Sequence, residues 1–126
     1  MTQKKIEAVL FDLDGVLVDS KEAWWHSFKE AGDIDRELFE EKFWGRDLTK
    51  NLEDLNMSKE DFCKKIYSKH MDKILTIEGA KDVLDKIELR KGLITNTTIE
   101  CTQEILDSFG IGDKFDAIVT SDQVRE

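Results

Sequence analysis

Proline is absent from this chain, and only two of its 126 residues are cysteine, Cys63 and Cys101. Without proline, the turns fall to glycine and the short polar residues. The two cysteines have no metal-like spacing and are expected as reduced, buried thiols of a cytoplasmic protein. Basic residues are in deficit: 19 Lys and Arg stand against 28 Asp and Glu, a formal net charge of −9. That balance argues against nucleic acid or an anionic membrane as a partner. Neither a signal peptide nor an apolar run of membrane length is apparent. What remains is globular in character, with 40% hydrophobic and 37% charged residues, enough for one domain or one domain with an insert.

One stretch organises the rest. Residues 9–20 read V-L-F-D-L-D-G-V-L-V-D-S, so an apolar strand over Ile6 to Phe11 delivers two carboxylates, Asp12 and Asp14, into a turn at Gly15. A turn at that point can set the second carboxylate so that the pair serves one site. Gly15 permits that because glycine accepts backbone angles other residues resist. A carboxylate pair can divide labour, one as nucleophile and one as proton donor.

From Asp19 to Thr76 the apolar spacing is helical. A first helix, capped by Asp19-Ser20 with Glu22 completing a capping box, is expected to run to about Ala31. A second fits Arg36 to Trp44 and stops at Gly45, a third fits Asp47 to Leu55, and Ser58 caps a fourth. No strand is expected between Gly15 and Thr76. From Glu78 helix and strand alternate: a helix over Gly79 to Glu88 with Val83 and Leu84 inward, a strand over Lys91 to Asn96, a helix ended by Gly110, and a strand over Phe115 to Thr120. Such alternation argues for parallel βαβ units. The expected fold class is α/β: a Rossmann-like parallel sheet of three strands, incomplete, with an inserted α-helical cap. The core is expected over 1–16 and 77–126, and the cap over 17–76. His26 and His70 are expected as surface or packing groups, and Trp24, Trp25 and Trp44 as packing within the cap.

The V-L-F-D-L-D-G-V-L-V-D-S string resembles the first motif of the haloacid dehalogenase superfamily, and Leu93-Ile94-Thr95-Asn96 resembles its second motif, an apolar strand ending in a hydroxyl. A helical cap directly after the first motif resembles the subgroup of phosphoglycolate phosphatases and β-phosphoglucomutases. That subgroup usually carries Pro-Gly where the chain re-enters the core, and Ile77-Glu78-Gly79 keeps only the glycine. The resemblance implies a Mg2+-dependent phosphomonoester hydrolase acting on a small phosphorylated metabolite. Asp12 would form an aspartyl phosphate, and Asp14 would protonate the leaving alcohol. Thr95 and Asn96 would hold phosphoryl oxygens. Asp12, with the backbone carbonyl of Asp14, would ligate the metal. Phe43-Trp44-Gly45-Arg46 resembles the cap loop that faces the site, which makes Arg46 the candidate for gripping a distal anion.

Two further motifs of the superfamily, a lysine and an acidic pair, are not matched here: Arg125 and Lys114 do not fit the lysine motif. The chain is therefore expected to be weak or inactive alone. Its first strand is expected as an open edge that a second copy or a complementing chain could cover. The alternatives are a non-catalytic half-domain that pairs through that edge, and a sugar phosphomutase, which shares both aspartates and the cap. The second aspartate argues against dehalogenase and phosphonate chemistry.

Overall fold

The structure is a computed structural model, and it describes residues 5–123. The polar lead-in before Lys5 and the position of Arg125 lie outside the described residues. Three parallel strands form the core sheet: β1 (Ala8–Asp12), β4 (Arg90–Ile94) and β5 (Ala117–Val119), in the order β1-β4-β5. Asp12 lies opposite Ile94 and Leu93 opposite Ile118, so the carboxyl ends of β1 and β4 finish level. The crossovers are the long helical segment with α5 (Ala80–Lys86), then α6 (Ile99–Phe109), which Gly110 ends in the left-handed conformation.

Alternation sorts the strands into two faces. Phe11, Leu93 and Ile118 point into a core shared with Leu84 of α5 and with Ile105 and Leu106 of α6. The opposite face stays bare: Leu10 is 66% exposed, and Ile94 and Val119 are also exposed. Parallel sheets normally bury both faces. Among the described residues β1 is an edge strand as well, so edge and face lie open together. Val83, expected inward on α5, is instead exposed, because the short helix turns only Leu84 fully into the core.

The helical cap starts and ends at a neck. Two strands of two residues each, β2 (Val18–Asp19) and β3 (Leu75–Thr76), pair antiparallel. They correct the expectation of no strand in this region; two residues are too few for alternation to register in sequence. Within the cap, α1 spans Lys21–Gly32. A short α2 (Arg36–Leu38), capped by Asp35, runs on as a π-helical turn over Phe39–Phe43, and Asp47 caps α3 (Leu48–Leu55). Ser58 caps α4 (Lys59–Asp61), which continues through a π-turn over Phe62–Ile66 and a 3-10 segment over Tyr67–Lys73. Aromatic rings fill the centre, with Phe28 5.3 Å between centroids from both Phe43 and Phe62.

Two local expectations are overturned. The Asp19–Glu22 capping box does not form: Ser20 is the N-cap of α1, makes no side-chain capping bond, and Glu22 pairs with Arg36 at 2.8 Å. Cys63 and Cys101 are buried as expected but are not free thiols, because they form a disulfide. The π-turn packs on the first turn of α6 and brings their Cα atoms to 5.1 Å, a proximity invisible to local spacing. The pairing also removes the cysteine-based argument for a reducing compartment. Among the described residues no helix is long and apolar enough to cross a membrane.

Candidate functional site

Leu13 to Val18 is a tight loop held by its own backbone: Val18 and Leu17 donate to the Leu13 carbonyl, and Gly15 N donates to Val18 O at 2.7 Å. Gly15 sits at φ +84°, the left-handed region the turn requires. This loop swings Asp14 back toward Asp12, so both carboxylates line one cavity of about 290 Å³ between sheet and cap. Its far wall comes from the cap, through Phe43 to Arg46, Leu48 and Asn51. Gly45, at φ +82°, lets the chain leave the π-turn and run across the mouth. Two bonds close the cap on the core there: Asn96 Nδ2 donates to Gly45 O at 3.0 Å, and Leu48 N donates to Asn96 O at 3.2 Å.

The two carboxylates differ in surroundings. Asp12, at the end of β1, is exposed, and its Oδ1 accepts from Leu13 N at 2.8 Å. Asp14 is partly buried, and burial pushes its carboxyl above the usual range. Hydrogen bonds from Ser20 and Trp24 pull it back in part, and the charge of Asp12 pushes it up again. One carboxylate is open and one is biased toward its neutral form, the division a nucleophile and an acid require.

The remaining expected residues do not all meet. Asn96 lines the main cavity with the aspartates. Thr95 is buried, and its Oγ1 accepts from Thr97 N at 3.3 Å. It borders a second, shallower hollow that Asp12 and Asn96 also line, on the bare face of the sheet beside Leu10. Arg46 lines the main cavity, but its guanidinium is engaged: Nη1 lies 2.7 Å from Asp54 Oδ2, with Lys42 also within 3.4 Å of that oxygen.

Three residues of the site were not anticipated. Ser20 Oγ and Trp24 Nε1 both donate to Asp14 Oδ1, the latter at 3.2 Å. Their spacing of four puts them on one face at the start of α1, a signal that was present in sequence but masked by the reading of Ser20 as a cap. Asn51 is buried in the cavity wall, with Nδ2 bonded to Phe43 O at 3.0 Å. Its Oδ1 has no partner among the described residues, and the helical spacing of α3 gives no hint of that.

No group of three or more His, Cys, Asp or Glu suited to holding a metal occurs among the described residues. The exposed carboxylate that lines the cavity is that of Asp12. A carboxylate there fits a hard cation such as Mg2+ when a substrate phosphate supplies further oxygens.

A parallel α/β sheet with a helical cap closing over paired carboxylates at the strand ends defines a capped α/β core. The sequence comparison agrees: residues 9–126 match the haloacid dehalogenase-like hydrolase family, and the chain belongs to it. It is 30% identical, over 99% of its length, to the pyrophosphatase PpaX of Bacillus velezensis, covering 64% of that protein. Among solved structures it resembles CbbY from Rhodobacter sphaeroides in complex with phosphate, with TM-score 0.76 and 22% identity over 97% of this chain and 66% of that one. It also resembles a predicted phosphoglycolate phosphatase from Haemophilus somnus, with TM-score 0.70 and 17% identity over 99% of this chain and 67% of that one. The chain thus spans about two thirds of the length of the relatives it matches.

Proposed function

We propose that this chain carries the nucleophile and acid of a Mg2+-dependent phosphomonoester hydrolase of the phosphoglycolate phosphatase-like kind. The observation that carries the reading is the shared cavity of Asp12 and Asp14 under the cap, with burial biasing Asp14 toward protonation. An Asp12 oxygen attacks phosphorus to form an aspartyl phosphate, and the P–O bond to the leaving alcohol breaks. Asp14 gives its proton to that oxygen and afterwards takes one from the attacking water. Asn96 and Thr95 are the candidate phosphoryl contacts, with the N-terminus of α6 close behind them favouring an anion. Asp12 and the carbonyl of Asp14 would hold Mg2+, which when bound supplies positive charge to the phosphoryl oxygens. Arg46 would grip a distal anion only by leaving Asp54. The substrate is a small phosphorylated metabolite; a sugar phosphate handled as by a phosphomutase is the alternative substrate class.

The bare edge of β1 favours a second reading, in which the chain is a half-domain that pairs through that edge with its own copy or with a complementing chain. Mg2+-dependent hydrolysis of an aryl phosphate by the wild type and by Asp12→Asn, alongside a solution mass, separates the two. Turnover lost in Asp12→Asn supports the hydrolase. No turnover in either protein, with a stable dimer, supports the half-domain. Equal turnover in both removes Asp12 as the nucleophile.

A further inference from the structure

Trp24 performs two tasks that its surroundings separate. Its ring is packing: it stacks on Tyr67 at 3.9 Å between centroids and is flanked by Phe28 at 6.0 Å and Phe62 at 6.2 Å. A phenyl ring would fill most of that slot. The indole N–H is a different matter, because it can only donate and, when buried, requires an acceptor. The acceptor is Asp14 Oδ1 at 3.2 Å, and Ser20 Oγ donates to the same oxygen. Among the described residues no donor reaches Oδ2. Tyr67, on the other side of the stack, is fully buried and its hydroxyl has no partner among the described residues, so the stack immobilises the indole without competing for the carboxylate.

We propose that Trp24 is a positioning residue for Asp14: with Ser20 it clamps Oδ1, leaving Oδ2 as the oxygen that delivers the proton to the leaving group. The two donors belong to the start of the cap and the acid belongs to the core, so α1 sets the orientation of a core residue. A carboxyl held through one oxygen cannot rotate freely about its Cβ–Cγ bond, and the oxygen facing the reacting ester stays the same from turnover to turnover. In the step itself, the proton on Oδ2 passes to the ester oxygen as that oxygen takes the electron pair of the breaking P–O bond, while phosphorus becomes bonded to Asp12. The inference rests on the reading of Asp14 as the proton donor.

Leaving-group dependence tests it. An alkyl phosphate needs its leaving oxygen protonated, whereas p-nitrophenolate departs with little help. In Trp24→Phe, which keeps a ring in the stack and deletes the donor, the ratio of alkyl to aryl kcat is expected to fall about tenfold, the scale of one hydrogen bond to an ionisable group. Ser20→Ala, which deletes the other donor to Oδ1, is expected to lower the same ratio and serves where Trp24→Phe does not fold. An unchanged ratio in a folded variant, whatever happens to the absolute rates, leaves Trp24 a packing residue and overturns the proposal. If the parent hydrolyses neither ester, the phosphatase reading fails, and the clamp is judged by the NMR shift of the Trp24 indole proton. An upfield move in Asp14→Ala supports the clamp, and an unmoved resonance overturns it.

Discussion

The disulfide between Cys63 and Cys101 ties the cap to the core, and reducing it should have a large, calculable effect. The bridge joins the π-turn of the cap to the first turn of α6, across a sequence separation of 38. Closing a loop of that length in the unfolded chain removes entropy worth about 4 kcal/mol at 25 °C in the chain-entropy treatment. At a specific unfolding entropy of about 2.1 cal/mol/K per residue, a chain of this size loses about 15 °C of melting temperature for that free energy. Both sulfurs are fully buried, so reduction leaves two thiols in a space shaped for a bridge, with Thr98 Oγ1 at 3.6 Å from the Cys63 sulfur. The assay is a thermal melt followed by circular dichroism with and without a phosphine reductant, paired with a thiol count in denaturant. The oxidised protein should show no reactive thiol and the reduced protein two. Cys63→Ser with Cys101→Ser should melt with the reduced form and ignore the reductant. Two reactive thiols before reduction, or a reductant shift under about 3 °C, would refute the reasoning.

Other perturbations probe the site and the bare sheet. Gly15→Ala meets no atom within 4 Å of the added Cβ, so its cost is backbone strain at φ +84°, about 1–2 kcal/mol by chemical denaturation. Asp14→Asn should stabilise the fold at neutral pH. The raised carboxyl of the parent contributes stability that is complete below its unfolded value of 3.8 and is lost as pH rises through the folded value. The advantage of Asp14→Asn over the parent should therefore grow with pH across that window and vanish below it, which denaturation at a series of pH values reads. Leu10→Lys, on the bare face, should change stability by less than about 0.5 kcal/mol, because the side chain is 66% exposed, while lowering any self-association seen by sedimentation. Trp24→Ala, by contrast, empties the centre of the aromatic stack and should cost about 3–5 kcal/mol.

How far the sequence carried follows from where the physics is local. The turn that carries Asp12 and Asp14 was legible because its ingredients are contiguous: an apolar strand, two carboxylates and a glycine free to take φ +84°. The cap at Ser58 was legible for the same reason, since its side chain accepts from a backbone N–H three residues on, whereas Asp47, expected as the first residue of its helix, is instead the N-cap. Strand ends shifted by one or two residues; β1 begins at Ala8 rather than Ile6 because pairing with β4 decides the boundary. The neck strands and the disulfide depend on contacts between distant segments, which no local pattern encodes. Ser20 is the instructive miss. Its sequence context is that of a helix cap, and it does occupy the N-cap position, yet its hydroxyl is drawn to Asp14. A carboxylate outcompetes a backbone N–H for alignment, since hydrogen bonds to ionisable acceptors are the stronger kind.

The charge around the cavity sets the terms for whatever anion enters. Asp12 and Asp14 both contribute carboxylates, and Arg46, a basic residue in the wall, already faces Asp54. A phosphate dianion beside an ionised Asp12 meets repulsion that water alone screens poorly in a half-enclosed cleft. Two features relieve it. Burial biases Asp14 toward its neutral form, which lessens the negative charge that an entering anion meets. On the proposed reading Arg46 would exchange Asp54 for the anion, and Lys42, already beside Asp54, would then hold that aspartate in its place. Asp54→Asn should accordingly free Arg46 and tighten binding of an anionic ligand. Titration with inorganic phosphate at low salt measures it: a tighter Kd in Asp54→Asn, abolished again in Asp54→Asn with Arg46→Gln, places Arg46 on the anion. An unchanged Kd means that the Arg46–Asp54 pair only braces the cap loop.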